Sequence, residues 1–258
     1  MPFVLLIRAV SAGDGDSKAL IELGFEVTSD AYIDVTPCTD DDATNRVRQL
    51  FSSLQQPNAW FILTSAAGIR ALNEIAGNEI VAGALQHAYE SGVKFAAVGP
   101  TSAQALHDLG IAEVLSPESL HTAAELVELL KTEQVGTAVI PRSAIGSEFL
   151  PDTLTRLGWQ VVQHTVYETT TVAERPTSAS FLAAGDFDAV VVRSPSAARA
   201  LFEHCGQVPA GTAVVATGPT TAAALEQLGS HVTVVSPGTS SQDIATCVAG
   251  LFEEAGAK

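Results

Sequence analysis

The sequence predicts an α/β protein built from two similar doubly wound parallel sheets with helices on both faces. Three observations support this fold class. Short apolar runs that are typical of buried strands alternate with helical runs along the chain. The same three strand–helix repeats occur twice in the same order, joined by short loops. The chain has 258 residues, enough for two domains of about 130 residues each.

The composition is that of a folded protein that does not bind nucleic acid. Apolar residues make up 47% of the chain and charged residues 16%, which indicates a well-buried core. Asp and Glu number 29 against 13 Lys and Arg, and the formal net charge is −16. Because no basic run is present, we expect no nucleic-acid partner. A long uncharged stretch, 205–225, contains three Gly and two Pro, which predicts a loop, a strand, a second loop and a helix instead of a membrane span.

The cysteines indicate a reducing compartment. Cys38, Cys205 and Cys247 are odd in number and form no Cys-x-x-Cys pair, so we expect three free thiols in a cytoplasmic protein. The first residues, Met1–Arg8, have no basic leader and no small-residue cleavage site. They predict a first strand and not a signal peptide.

The first strand–helix repeat occupies the start of the chain. Val4–Ile7 is a continuous apolar run, typical of a buried parallel strand, and Arg8 ends it. A helix is predicted over Ser17–Leu23, where Gly24 stops it, and a strand over Phe25–Thr28 follows.

The second repeat begins after a β-rich segment, Ser29–Pro37. A helix is predicted over 39–54, and we expect its acidic run, Asp40–Asp42, to cap it and to balance the helix dipole without binding a metal. Trp60–Leu63 is the next strand, and a helix over Ala66–Ile75 follows it.

The third repeat comprises a strand over Lys94–Val98, a helix, a short strand over Glu113–Leu115 and a helix over Thr122–Leu130. All three repeats then recur in the same order, so the sequence is a duplication along its whole length. The matched pairs are Leu5–Arg8 with Ala138–Arg142, Leu23–Val27 with Leu157–Val161, Asn58–Ser65 with Asp188–Ser194, and Lys94–Gly110 with Thr212–Gly229.

The chain is organised around a Gly-Pro-Thr turn that occurs in both halves, at 99–101 and 218–220. Each copy follows a predicted strand and opens an Ala- and Leu-rich helix. We expect the Gly to take an unusual backbone angle, the Pro to occupy the first helical position, and the nearby hydroxyls to cap the helix. Such a turn directs unpaired N–H groups outward from the carboxyl edge of a sheet, which suits an anion.

A second β-rich segment, His164–Val172, stands in the second half where Ala31–Pro37 stands in the first. Two extended segments in equivalent places are predicted to pair as a ladder between the domains. Because open α/β sheets bind ligands at the carboxyl ends of their strands, a ligand cleft is expected where the turns lie.

Five short motifs follow one another along essentially the whole chain. They are Phe61–Ser65, Val98–Thr101, Gly158 leading to Val166–Thr169, Arg193–Ser196 and Thr217–Ala222. Each motif alone is degenerate, but the ordered set resembles the uroporphyrinogen-III synthase family.

The resemblance implies two similar, flavodoxin-like α/β domains, joined by a two-stranded antiparallel linker, with the ligand cleft between them. One domain combines residues 1–34 and 171–258, and the other is 35–170. The linker strands lie near 30–37 and 164–172.

The resemblance also implies a reaction. Members of the family cyclise linear hydroxymethylbilane to uroporphyrinogen III, with inversion of ring D and loss of water, and they use no cofactor and no metal. We therefore expect a cytoplasmic, monomeric lyase of heme biosynthesis, with hand-over of substrate from hydroxymethylbilane synthase and no membrane partner. The alternative is a non-catalytic, hinge-closing module that binds a ligand or regulates.

By the same resemblance, Tyr167 occupies the place of a tyrosine near the family's cleft. A phenol is neutral at pH 7 and can donate a proton to the departing hydroxyl. The alternative is that Tyr167 is a linker-strand residue chosen for β propensity. Its counterpart in the duplication is Ile33, so the fold of the repeat does not require a phenol.

The strand-to-helix turns supply the candidate substrate-binding residues. Their hydroxyls suit helix caps, and N–H groups beside a cap can bind a carboxylate. Three arginines end strands at the same edge and suit carboxylate contacts. The candidates are Arg8, Thr64, Ser65, Gly99, Thr101, Ser102, Arg142, Ser143, Arg193, Ser194, Ser196, Gly218, Thr220 and Thr221. Arg70 and Arg199 lie further into helices and are predicted to be structural salt-bridge partners.

The sequence lacks the motifs of nucleotide binding, metal binding and nucleophilic catalysis. The loop Gly13–Lys18 begins like a dinucleotide-binding fingerprint but has Lys18 at the position of the third Gly. Six histidines are dispersed without metal-ligand spacing, and no P-loop, nucleophile elbow or Cys–His pair is present. We expect neither a metal nor a cofactor.

Overall fold

The chain forms two compact α/β units. The computed structural model describes residues 1–10, 13–118 and 121–253. Unit 1 consists of Met1–Val35 and Thr170–Lys258, and unit 2 of Thr36–Thr169. The chain therefore passes from one unit to the other twice, once near residue 35 and once near residue 169.

Strands and helices alternate along the described residues, which confirms the predicted fold class. The strands are β1 (Phe3–Ala9), β2 (Glu26–Pro37), β3 (Ala59–Leu63), β4 (Lys94–Ala97), β5 (Thr137–Ser143), β6 (Gln160–Thr171), β7 (Ala189–Val192), β8 (Ala213–Ala216) and β9 (Val234–Val235). The helices are α1 (Gly15–Glu22), α2 (Ala43–Ser53), α3 (Ala67–Ala76), α4 (Asn78–Glu90), α5 (Pro100–His107), α6 (Ala123–Leu130), α7 (Phe149–Arg156), α8 (Ser178–Ala184), α9 (Pro195–Cys205), α10 (Pro219–Gln227) and α11 (Ser241–Glu253).

Each unit contains a parallel sheet, and the two sheets share one topology. In unit 1 the strand order is β2-β1-β7-β8-β9. In unit 2 the order is β6-β5-β3-β4, and Leu115 forms a parallel bridge with Ala96 at the outer edge of β4. The fifth position of the unit 2 sheet is thus a single bridge, where the sequence predicts a strand over Glu113–Leu115.

An irregularity of strand pairing recurs in both units and aligns their residues. The β1–β2 register shifts between Arg8 and Ala9, which skips Tyr32. The β5–β6 register shifts at the equivalent point, so that Arg142 pairs with Thr165 and Ser143 with Tyr167. Tyr167 therefore stands in unit 2 where Ile33 stands in unit 1, as the duplicated sequence predicts.

Both faces of the unit 1 sheet are buried. Leu5 and Ile7 of β1 pack into one apolar cluster, whereas Val4 and Leu6 pack into another. All four side chains are at most 1% exposed. Because successive side chains of a strand point to opposite faces, this division means that helices cover the sheet on both sides.

The structure corrects three details of the predicted elements. The two segments predicted over 25–37 form one strand, β2, because no residue between them interrupts the parallel pairing with β1. Helix α4 has no predicted counterpart and no equivalent in unit 1, where the chain runs from α9 to β8 without a helix. The acidic run does not cap α2 through a side chain, since Asp40 instead binds Arg46 with both carboxylate oxygens, at 2.8 and 2.6 Å.

Gly136 lies against the backbone of Asn58 in unit 2, and its substitution is a test of the fold. A Cβ at position 136 would lie 2.7 Å from the Cβ and 2.8 Å from the carbonyl carbon of Asn58, which precedes β3. Replacing Gly136 by Ala is expected to lower the free energy of unfolding by roughly 2–3 kcal/mol, as overpacking does. Urea unfolding followed by circular dichroism measures this change in the free energy of unfolding.

Gly83→Ala is the matched control. Gly83 lies within α4, and nothing lies within 4 Å of an added Cβ. There Ala should raise the free energy of unfolding by about 0.5–1 kcal/mol, because Gly is the poorer helix former. A Gly136→Ala protein as stable as the wild type would contradict the assigned register of β3 and β5.

Candidate functional site

The polar candidates of unit 1 lie together at the carboxyl edge of its sheet. Ile7 pairs with Val192, and Val192 pairs with Ala216, so the residues that follow these positions are neighbours. These neighbours are Arg8 on β1, Arg193 after β7 and the Gly-Pro-Thr turn after β8. The hydroxyl of Thr217 ties the last two together by donating to the Arg193 carbonyl oxygen at 3.1 Å.

Arg193 is held by a buried carboxylate. Its Nη1 donates to both carboxylate oxygens of Asp16, at 2.7 and 2.6 Å, and its Nη2 donates to the Thr239 carbonyl oxygen at 3.0 Å. Ser241 Oγ donates a further hydrogen bond of 2.6 Å to Asp16. Asp16 is 8% exposed, and the Arg193 side chain remains 34% exposed. The buried Asp16 carboxylate therefore orients the Arg193 guanidinium, which remains partly exposed to solvent.

Arg8 is less constrained than Arg193. It is partly buried, and its Nη1 donates to Ser29 Oγ at 2.8 Å. Among the described residues, no carboxylate lies within salt-bridge distance of Arg8. Within these residues, this guanidinium therefore has no carboxylate competing with an anion.

In unit 2, Thr64 and Arg142 line one small cavity at the carboxyl edge. Its volume is about 180 Å³. The apolar part of its wall comes mainly from Val98, Ile140 and Leu150. The structure therefore brings together the candidate residues at the ends of β3 and β5 in a pocket that the sequence does not predict.

Arg142 is 8% exposed, and acceptors in unit 2 bind its guanidinium. Nη1 donates to Glu148 Oε1 at 2.5 Å and to Gln163 Oε1 at 2.8 Å. Nε donates to the Ser143 carbonyl oxygen at 3.3 Å, and Nη2 donates to the carbonyl oxygen of Gly146. The hydrogen bonds from Arg142 and Gln163 lower the pKa of Glu148.

Tyr167 is buried in unit 2, with 6% of its surface exposed. Burial raises the pKa of its phenol, while a hydrogen bond with Ser65 and the charges of Arg70 and Arg142 oppose the rise. The phenol is consequently protonated throughout the physiological pH range. Ser65 is a sequence candidate that influences the pKa of Tyr167 in the folded chain.

The two Gly-Pro-Thr turns differ from the prediction in their backbone. Gly99 has φ −151° and ψ 171°, and Gly218 has φ 170° and ψ 167°, so both are extended and neither takes a left-handed angle. An added Cβ at Gly218 would meet nothing within 4 Å, and one at Gly99 would lie 3.5 Å from the Cβ of His121. The turn geometry does not require glycine, and the missing side chain leaves the helix end uncovered.

These glycines are themselves the N-cap residues of α5 and α10, and no side chain caps either helix. Within the described ranges, the backbone N–H groups of Thr101, Thr220 and Thr221 meet no acceptor. Free N–H groups at a helix N-terminus form an anion-binding position.

The hydroxyls near the turns therefore divide into caps and non-caps. Ser194 caps α9 by accepting from the N–H of Ala197 at 3.1 Å, and its Oγ lies 2.9 Å from that of Ser196. The expected capping role is wrong for Ser102 and Thr221, which lie inside their helices and are buried. Thr101 and Thr220 stand beside them and are exposed.

Ser65 and Ser143 form smaller turns. Ser65 Oγ accepts from the N–H of Ala67 at 3.3 Å, and Ser143 Oγ accepts from that of Ile145 at 3.4 Å.

The prediction for Arg70 and Arg199 is wrong, since neither forms a salt bridge with any residue in the described ranges. Sequence reasoning also missed Asp16 and Glu148, the carboxylates that hold arginines at the two edges. The sequence contains an indication of only one of them, Glu148. Glu148 lies six residues after Arg142, as Asp14 does after Arg8 in the duplicated segment.

Two features are absent from the described ranges. No group of three or more His, Cys, Asp or Glu residues there could hold a metal ion. None of the helices there combines the length and the apolar character that crossing a bilayer requires.

A protein-family model described as uroporphyrinogen-III synthase HemD matches residues 15–245. The chain belongs to the uroporphyrinogen-III synthase family. Because that family comprises cyclising lyases of tetrapyrrole and heme biosynthesis, this chain is an enzyme of that class. Nothing in the structure or the comparisons favours a non-catalytic binding module. Among curated proteins no match is found.

Solved uroporphyrinogen-III synthases share the fold. A mutant enzyme from Thermus thermophilus is 19% identical with a TM-score of 0.67, and the alignment covers 100% of both chains. The enzyme from Helicobacter pylori 26695 is 16% identical with a TM-score of 0.61, covering 97% of this chain and 100% of that one. A wild-type structure of the Thermus thermophilus enzyme is 18% identical with a TM-score of 0.52, covering 99% of this chain and 100% of that one.

The Asp16–Arg193 pair makes a testable contribution to stability. Asp16→Asn removes the charge that the Arg193 guanidinium faces, and it should lower the free energy of unfolding by about 1–3 kcal/mol. Thermal and urea unfolding measure the change. The control is Glu22→Gln, which removes an exposed carboxylate from the same helix. Equal stabilities of the Asp16 variant and the control would show that the pair does not stabilise unit 1.

Proposed function

We propose that the substrate is linear hydroxymethylbilane, and that the enzyme closes it to uroporphyrinogen III with inversion of ring D and loss of water. The observation that carries this proposal is the family match over residues 15–245. The chemistry of the sheet edges supports it, since a bilane with acetate and propionate arms requires many separate carboxylate contacts. Each unit offers arginines and free helix N-terminal N–H groups at its carboxyl edge.

The net charge of −16 does not oppose this substrate at contact range. At physiological salt the Debye length is about 8 Å, so distant carboxylates are largely screened. Free N–H groups at a helix N-terminus and guanidinium groups act within hydrogen-bond distance, where they outweigh that background. We propose carboxylate-binding roles for Arg8, Thr101 and Thr220 on this basis, with the other turn residues shaping the edge.

Tyr167 is proposed to supply the proton when the hydroxyl leaves as water. Its pKa is raised by burial, and Ser65 opposes part of that rise. The electron-rich pyrrole provides the electron pair that expels the hydroxyl, so the enzyme contributes mainly position and one proton. We propose no metal and no cofactor in this step.

The remaining proposals concern the setting of the enzyme. We propose that it acts as a cytoplasmic monomer and accepts its unstable substrate by hand-over from hydroxymethylbilane synthase. The three cysteines, all free thiols, support a reducing compartment.

The direct test of function is the isomer formed. Purified protein is given freshly made hydroxymethylbilane, the products are oxidised, and isomers I and III are separated by chromatography. We expect isomer III in excess over a protein-free control. Isomer I alone, at an excess of protein, would contradict the proposal.

Tyr167→Phe tests the proton donor. The ring and its burial remain, so stability should be unchanged, while kcat should fall roughly 10²-fold as expected for a lost general acid. The control is Ser65→Ala, which removes the partner and keeps the phenol, and should have a smaller effect on kcat. A Tyr167→Phe enzyme within twofold of wild-type kcat would identify Tyr167 as a packing residue. The raised pKa also predicts no loss of kcat from this group between pH 7 and 9.

A further inference from the structure

The cavity beside Arg142 has the shape and chemistry of a pocket for one short carboxylate arm. Its volume, about 180 Å³, is ample for a chain of a few atoms. Val98, Ile140 and Leu150 supply an apolar wall suited to methylene groups. Thr64 and Arg142 supply a hydroxyl and a guanidinium suited to a carboxylate.

A carboxylate of the protein, that of Glu148, already accepts a hydrogen bond from the Arg142 guanidinium. Glu148 Oε1 accepts from Arg142 Nη1 at 2.5 Å, and Glu148 Oε2 accepts from Gln163 at 3.3 Å. Beyond its Cα, a glutamate side chain is –CH₂–CH₂–COO⁻, which is chemically a propionate. Since 57% of the Glu148 side chain is exposed, it can turn into solvent without losing a buried environment.

The duplicated segment of unit 1 shows the same two positions without the contact. Arg8 is followed after six residues by Asp14, as Arg142 is by Glu148. Asp14 instead binds Lys18 at 3.1 Å, and Arg8 donates to Ser29. The chain thus tolerates this arginine–acid pair both joined and separated, so the fold does not require the pair to be joined.

From these observations we infer that the cavity beside Arg142 binds a propionate arm of the substrate, and that Glu148 occupies Arg142 until the arm displaces it. This inference rests on the proposed function for its substrate. The exchange replaces one charge-assisted hydrogen bond by another, so Arg142 keeps a carboxylate partner throughout. Glu148 is then a competitor that sets the affinity for this arm and excludes groups without a carboxylate.

Glu148→Gln tests the competition. The amide keeps the size of the side chain and loses its charge, so the KM for hydroxymethylbilane should fall about three- to fivefold, the effect of one exposed ion pair, with kcat unchanged. The matched control is Asp152→Asn, which removes an exposed carboxylate one turn further along α7. It should leave KM unchanged. A KM equal to wild type in Glu148→Gln, or an equal fall in both variants, would overturn the inference.

Ala123→Leu tests the cavity, because Ala123 forms part of its wall. The added side chain should fill the space and raise KM about tenfold, comparable with the loss of a few buried methylene contacts. Ala124→Leu is the control, since Ala124 is exposed and is not part of the wall. Unfolding midpoints of both proteins separate a binding defect from misfolding. A folded Ala123→Leu protein with wild-type KM would rule out an arm pocket.

A titration with sodium propionate, followed by NMR, measures binding to the cavity without turnover. Chemical shifts of the backbone amides of Thr64 and Gly146 should move with propionate, at lower concentration in Glu148→Gln than in wild type and not at all in Ala123→Leu. If the wild type forms no isomer III but shows this pattern, the proposed function fails and the carboxylate pocket stands. Equal propionate affinity in wild type and Glu148→Gln would overturn the pocket, whatever the isomer assay shows.

Discussion

Apolar side chains pack against both faces of each parallel sheet, and this constraint decides where polar, functional side chains can lie. Helices and alternating Val, Leu and Ile side chains cover β1 on both sides. Polar side chains are therefore confined to the strand ends, and in parallel sheets all carboxyl ends meet at one edge. Arg8, Arg142 and Arg193 each lie within one residue of the end of a strand at such an edge.

A carboxylate partner offsets the cost of burying an arginine at the end of a strand, because an isolated buried charge is costly. Asp16 does this for Arg193, and Glu148 does it for Arg142. The two partners differ in exposure. Asp16 is buried and takes a further hydrogen bond from Ser241, whereas Glu148 is largely exposed. The first pair is suited to a fixed support, and the second is suited to exchange with a ligand carboxylate.

The Gly-Pro-Thr turns complement these arginines by leaving donors free. Glycine contributes no capping oxygen at the N-cap position, and proline has no N–H at the first helical position. The next N–H groups, at Thr101 and Thr220, are thus the first that can bind an anion. In a chain with a net charge of −16, such backbone donors provide positive potential without adding a side-chain cation.

The sequence by itself determined the fold class, the duplication and the family, because hydrophobic periodicity and ordered motifs are local patterns that survive without coordinates. It also indicated that Tyr167 and Ile33 occupy equivalent positions in the two repeats. Helix α4 was missed because it interrupts the duplication on which the interpretation relied.

The tertiary structure alone decided which side chains meet. Asp16 and Arg193 are 177 positions apart, and no spacing rule joins them. Local sequence sets element type, whereas contacts between distant residues depend on sheet register, and register is a property of the folded chain.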